Sequence, residues 1–215
     1  MEHWDELWPG GFRFRFDDNV FKPSTDTFLL GDFAEVRRGE RVCDLGAGIG
    51  LLGLLLLARQ QELHITNIVL RADLQDRTAL PKAGSFDLCV ANPPYFPPHT
   101  GRVAEGSRGT ARSETACAFD QLCAAAAYLL RSGGRFCLVH RAERTAELMD
   151  VLRRHRLEPK VLRFVQKDAQ TPPRLVLLSC RRHGGAGLAV HTPLLLQADG
   201  GESGELRRIY FKDRG

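Results

Sequence analysis

The tetrapeptide Asn92-Pro93-Pro94-Tyr95 closes the apolar run Phe86-Asp87-Leu88-Cys89-Val90-Ala91. An amide, two prolines and an aromatic ring are poor packing material for the end of a strand. Proline donates no backbone hydrogen bond, so a sheet ladder must stop there. What remains is a rigid turn displaying an amide and a ring at the carboxyl edge of a sheet, the edge at which open α/β folds bind ligands. The amide can accept N–H donors and the ring can stack on a planar group, which is chemistry for holding an amine.

Two further stretches can serve such a site. Arg41-Val42-Cys43-Asp44-Leu45 reads as a strand, Gly46-Ala47-Gly48-Ile49-Gly50 as a turn, and Leu51 to Ala58 as a helix. Glycines at 46, 48 and 50 suit a backbone that bends sharply and approaches a ligand closely. The spacing is G-x-G-x-G after an Asp, not the G-x-G-x-x-G of dinucleotide binders. It points away from NAD and toward S-adenosylmethionine, which presents an amino-acid moiety and no pyrophosphate. Upstream, Pro23-Ser24-Thr25-Asp26 before Thr27-Phe28-Leu29-Leu30 reads as the N-cap of a helix running to about Val36. A helix N-terminus can also face a ligand.

The remaining elements must position these stretches. Residues 1–20 form an arm with a hairpin, because Phe12, Phe14 and Phe16 alternate with Arg13 and Arg15. Leu63 to Thr66 and Asn67 to Leu74 read as two strands with nothing between them. Parallel neighbours need a crossover of about a dozen residues, so either the two form one long strand or, the favoured reading, one crossover segment is missing after the second strand. Residues 96–112 form a long substrate-side loop rich in Gly, Pro and Arg. A helix over Thr115–Leu130, closed by Ser132-Gly133-Gly134, leads to a strand over Arg135–His140 and a helix over Ala142–His155. Strands over Lys160–Gln166 and Arg174–Arg182 make an antiparallel pair at a sheet edge. A short strand at Leu194–Gln197 and a helix at Glu205–Phe211 follow. The pattern is α/β, a mostly parallel sheet with an antiparallel edge strand and helices on both faces, in a single domain over 1–215.

Composition bounds the reading. With 215 residues, 43% of them hydrophobic, the chain can bury one substantial core. No apolar run is long enough to span a bilayer, and the acidic start Met1 to Trp8 has no signal-peptide h-region. The six cysteines, Cys43, Cys89, Cys117, Cys123, Cys137 and Cys180, contain no C-x-x-C pair. Free thiols in a reducing cytoplasm are expected, and neither a zinc site nor any other metal. The net charge of +4 permits an anionic partner without requiring one. Its distribution says more: Arg102, Arg108 and Arg112 punctuate the long loop, and Arg153, Arg154, Arg156, Lys160, Arg163 and Lys167 crowd another region.

In this order the pieces resemble a class I S-adenosylmethionine-dependent methyltransferase, with a Rossmann-like fold. Asp44 to Gly50 is similar to the family's cofactor loop, and Asn92-Pro93-Pro94-Tyr95 matches the (N/D/S)PP(Y/F) motif of enzymes that methylate a planar nitrogen. The resemblance runs from about Phe12 to Phe211 and is closest to the bacterial valine-tRNA adenine-N6 methyltransferases. It implies methyl transfer to the N6 amine of an adenine in RNA, with tRNA bound through Arg102, Arg108, Arg112 and neighbouring basic residues. It also implies that Asn92, Pro93, Pro94 and Tyr95 are catalytic. Asp44 would act near the methionine amine, with Gly46, Ala47, Gly48 and Gly50 beneath the methionine and ribose. Asp26 and Thr27 would border the methionine end, Asp73 would receive the adenine amino group, and Leu74 would flank its ring. Thr66-Asn67 stands where the family has a ribose-binding acid. Two other readings stay open at this level: a release-factor glutamine methyltransferase, whose acceptor amide fits the same tetrapeptide, and a non-catalytic RNA-binding module on the same fold.

Overall fold

The computed structural model describes residues 2–17, 23–60, 74, 76–93 and 108–214, with side chains from residue 118 onward in the helix that starts at Arg108. Apart from Leu74, the strands expected over 63–74 and the crossover between them lie outside the described residues. So do Asp73, Pro94, Tyr95 and Arg102.

Glu2–Glu6 (β1) and Arg13–Asp17 (β2) pair antiparallel. Helix Thr25–Phe33 (α1) precedes strand Val42–Asp44 (β3), helix Leu51–Arg59 (α2) and strand Phe86–Ala91 (β4). The long helix Arg108–Leu129 (α3) feeds directly into strand Leu130–Arg141 (β5). A 3-10 turn at Ala142–Arg144 opens helix Thr145–Arg154 (α4), which leads to the strands Leu157–Gln166 (β6) and Leu175–Arg182 (β7). Two-residue strands at Ala189–Val190 (β8), Leu194–Leu195 (β9), Gln197–Ala198 (β10) and Gly201–Glu202 (β11) precede helix Gly204–Ile209 (α5).

The main sheet has the order β3-β4-β5-β7-β6-β8, and β9 also pairs with β6. Strands β3, β4 and β5 are parallel. β7 lies antiparallel between β5 and β6, and the antiparallel pair expected at one sheet edge is there, with the two-residue β8 and β9 beyond it. The short 167–174 connection can join only antiparallel neighbours. Both faces are covered, which is why β4 and β7 read as near-continuous apolar runs. Leu88 and Val90 of β4 face one core with α1, α2, α5 and the hairpin, while Cys89 and Ala91 face a second core built from α3 and α4. The described cysteines Cys43, Cys89, Cys123, Cys137 and Cys180 are free thiols.

Several boundaries differ from the sequence expectation. α1 stops at Phe33, before Val36. α3 begins at Arg108, inside the stretch read as loop, because Ala111, Arg112 and Glu114 are strong enough helix formers to carry Gly109. Ser132-Gly133-Gly134 does not cap that helix; it forms an irregular start to β5. There the register steps from Phe86↔Leu130 to Leu88↔Arg135. A Cβ on Gly134 would lie 2.9 Å from the Arg131 carbonyl oxygen, so only glycine fits that bend.

Candidate active site

Strands β3 and β4 run side by side, with Asp44 opposite Val90, and end at the same edge. The Asp44–Leu51 turn leaves β3 with positive φ at Gly46 (81°), Gly48 (54°) and Gly50 (77°), a conformation that glycine adopts without strain. The turn walls a cavity of about 220 Å³ with Asp44, Gly46, Ala47, Gly48 and Ile49. Leu51 and Leu52 from the first turn of α2 line it too, as do Pro23 and Thr27 around the N-terminus of α1, and Asn92 beyond β4. Six residues singled out from the sequence therefore meet around one space: Thr27, Asp44, Gly46, Ala47, Gly48 and Asn92. Asp26 and Gly50 belong to the same two elements without lining it. Pro93 follows Asn92 and is half-buried. Leu74 packs instead against the second core.

The Asn92 side chain is tied to α1. Its Nδ2 donates to the Thr27 hydroxyl at 3.0 Å, and the Thr27 and Ser24 hydroxyls lie 3.3 Å apart. Thr27 is 8% exposed, so this polar contact is shielded from water. Ser24 stands at the N-cap position, yet its side chain makes no cap bond and reaches Thr27 instead; its backbone carbonyl accepts the Thr27 N–H at 3.1 Å. The same end of α1 is braced from the far end of the chain. Tyr210 donates its hydroxyl proton to the Thr25 hydroxyl at 2.8 Å and stacks on Phe28 with ring centroids 4.4 Å apart. No local signal in the sequence announces Tyr210 or the cavity-facing Leu51 and Leu52, whose apolar run reads simply as core.

Asp44 is the titratable group of the cavity. Burial pushes its carboxyl up to about 7, and the backbone N–H of Gly53 in the first turn of α2 pulls it back only in part. Its Oδ2 is buried without a hydrogen-bond partner among the described residues. An unsatisfied carboxylate oxygen beside a glycine turn fits the ammonium end of an amino-acid moiety, which is what S-adenosylmethionine would present here. His140, near the carboxyl end of β5, is 1% exposed and pushed down to about 4, chiefly by burial. At neutral pH it is an uncharged, weak base. Among the described residues no group of His, Cys, Asp and Glu could hold a metal ion, and no helix is long and apolar enough to cross a membrane.

No family model matches the chain. It is 31% identical over 213 residues to the tRNA1(Val) (adenine(37)-N6)-methyltransferase of Dickeya chrysanthemi (strain Ech1591), covering 86% of this chain and 84% of that protein. The chain belongs to that family. A second member, from Serratia proteamaculans (strain 568), is 28% identical over 234 residues, covering 93% of this chain and 88% of its own. The aligned span of 213 residues is longer than the 86% of this 215-residue chain that it covers. The Dickeya family member thus carries residues that have no counterpart here. Among solved structures, a predicted O-methyltransferase, protein Atu636 from Agrobacterium tumefaciens, superposes with a TM-score of 0.69 at 19% identity, covering 86% of this chain and 95% of that one. NSun6 from Pyrococcus horikoshii superposes at 0.55 with 10% identity, covering 77% and 53%. These likenesses place the fold among the Rossmann-like methyltransferases.

Proposed function

We propose that this protein transfers a methyl group from S-adenosylmethionine to the exocyclic N6 amine of an adenine in RNA, and that the RNA is a tRNA in the cytoplasm. The observation that carries this reading is the Asn92 amide, held at the mouth of a cavity that also contains the unsatisfied Asp44 carboxylate. Bound S-adenosylmethionine supplies an activated sulfonium methyl. Thr27, Asp44, Gly46, Ala47, Gly48 and Asn92, which line the cavity, would hold its methionine and ribose, with Asp26 and Gly50 supporting them from the same two elements and Asp73 beside the adenine.

The rest is work for the protein's own groups. An amine conjugated to a purine is a poor nucleophile because its lone pair is delocalised into the ring. The Asn92 side-chain oxygen and the Pro93 carbonyl accept its two N–H groups, which favours an sp³-like nitrogen with its lone pair turned toward the methyl. This is positioning and stabilisation of developing positive charge, and it requires no strong base. Tyr95 stacks on the base, an interaction of about 1–3 kcal/mol, once the nucleotide has left its stack.

Contact with the RNA falls to Arg102, Arg108 and Arg112. α3 begins after the Asn92 end of β4 and leads back to the start of β5, so Arg108 and Arg112 belong to its first turns, on the tetrapeptide side of the helix in the chain. The names of the relatives favour tRNA over a release factor as acceptor. The test is methyl transfer from labelled cofactor to bulk tRNA and, in parallel, to a release factor, with the product nucleoside identified by mass spectrometry. N6-methyladenosine is the expected product. Asn92→Ala is expected to abolish transfer while calorimetry still detects cofactor binding; equal turnover by that variant would overturn the mechanism.

A further inference from the structure

We infer that the edge of the sheet opposite the candidate active site carries a second RNA-docking surface, a basic groove that grips the phosphate backbone of the substrate away from the reacting adenine. The inference rests on the RNA reading given above and deepens it. β4 and β5 run parallel toward the Asn92 edge, and β7 returns beside β5, with Arg141 opposite Leu175 and Arg135 opposite Arg181. α4 makes the same return, and β6 sets out from its foot with Leu157 opposite Arg182. The last turn of α4, the start of β6 and the end of β7 therefore meet at the far edge. The 8 residues of β7 put that edge about 24 Å from the catalytic one along the strands.

A groove of about 830 Å³ opens there, and its charged and polar lining is Asp150, Arg153, Arg154, Arg156, Glu158 and His183. Part of this set has structural work. Arg153 pairs with Glu158 at 3.3 Å, and Arg154 with Asp150 and Asp120, each at 3.3 Å; both arginines also suit the negative end of a helix. The two carboxylates of the groove are thus engaged. Arg156 is exposed and forms no ion pair among the described residues. Arg182 beside it donates to the His155 carbonyl at 2.6 Å, a bond that leaves its charge unneutralised. The surplus is therefore positive. His183 feels it: its exposed imidazole is held below the usual histidine range, first by Arg182, then by desolvation and Arg156.

The backbone singles out the same two residues. The His183 N–H donates to the Arg156 carbonyl at 2.9 Å, and both residues have positive φ, 57° at Arg156 and 55° at His183. Glycine or asparagine would relieve a turn that served folding alone. Here a guanidinium and an imidazole occupy strained positions, and both line the groove. A phosphate suits the pair, because its oxygens can accept two parallel N–H bonds from a guanidinium and a third from a ring nitrogen. The lining arginines and His183 are exposed, which fits a backbone passing across the groove better than a small ion enclosed by it. A substrate that touches both this groove and the Asn92 cavity extends over about 24 Å at least. A tRNA does; a single nucleotide does not.

The test compares the parent with the double variant Arg156→Asn and His183→Asn, since asparagine tolerates positive φ and preserves the turn. Binding of bulk tRNA, read by fluorescence anisotropy, should weaken about three- to tenfold, and the slope of log affinity against log salt should fall by about 1. In methyl transfer KM for tRNA should rise by the same factor, with kcat and calorimetric cofactor affinity changed less than about twofold. Arg156→Asp should weaken binding further. Unchanged affinity and salt slope would overturn the inference, and so would a fall in kcat at constant KM. No transfer to tRNA by the parent would instead overturn the RNA methylation reading, which the binding measurement does not depend on. A second readout separates RNA from free anions. The His183 ring, assigned in the nuclear magnetic resonance spectrum by its loss in His183→Asn, should titrate at higher pH when tRNA is bound. The charges around it (Arg153, Arg154, Arg156 and Arg182 against Asp150 and Glu158) are the same with and without RNA, so the shift reports the phosphate. Inorganic phosphate at matched ionic strength should leave the ring unchanged; an equal shift with both, or none with tRNA, would overturn the docking surface.

Discussion

Asp44 is kept in a medium that disfavours its charge, and this makes the empty and filled sites opposite in their response to pH. Its folded-state value, about 7, lies above the unfolded value of 3.8, with burial the main cause. A carboxyl raised in this way contributes stability that is fully present below about pH 3.8 and is lost as pH climbs through about 7. Asp44→Asn cannot ionise, so it should flatten the melting profile between those values. At pH 8 it should gain about 1–3 kcal/mol over the parent, the range for a buried polar group relieved of an unmet demand. A cationic ligand reverses the sign, since an ammonium beside the carboxyl favours the ionised form. Cofactor affinity in the parent should therefore rise from pH 5 to pH 7 with proton release, and Asp44→Asn should lose that rise. Calorimetry in buffers of different ionisation enthalpy measures both; an unchanged slope in the variant would remove Asp44 from the site.

At the scale of elements, α1 matters more than its 9 residues suggest. Its N-terminal end carries Thr27 and is braced by Tyr210, while its other end is pinned by Arg135, which donates to the Ala34 carbonyl at 2.7 Å and pairs with Glu40 at 2.8 Å. Arg59 adds a bond to Asp32 at 2.9 Å and reaches the Ile209 carbonyl. A helix fastened at both ends can hold a hydroxyl in register with a strand end. α3 carries Arg108 and Arg112 in its first turns. If those turns meet phosphates, the paired change Arg108→Ala and Arg112→Ala should weaken tRNA binding and lower the slope of log affinity against log salt by about 2. A tRNA affinity as salt-sensitive in the variant as in the parent would exclude them as phosphate contacts.

Over the whole molecule, what the sequence made legible was whatever rests on local rules. Glycines spaced after an acidic strand end, a proline-stopped strand and a cap cluster each have neighbours that explain them, and these three converge on the cavity. The insertion of β7 between β5 and β6 depends on sheet order, which no local pattern encodes. The Tyr210 brace and the Arg135 pin depend on contacts between residues far apart in the chain. The helical start of α3 was hidden because Gly109 and Thr110 are turn formers that a long helix can absorb. The crossover segment and the ribose-binding acid expected near Thr66-Asn67 lie outside the described residues. Asn67→Asp is expected to tighten cofactor binding in calorimetry, and an unchanged affinity would show that the ribose is held by other groups.

The bond between Tyr210 and Thr25 spans 185 positions. At a synthesis rate of about 5–20 residues per second, the segment that carries Thr27 emerges about 10–40 s before its brace has been made. Until then Phe28 has no ring to stack on, and the Thr25 hydroxyl has no donor from Tyr210. The last helix therefore acts as a completion mark: a nascent chain can form its glycine turn while the N-terminal end of α1 still lacks its brace.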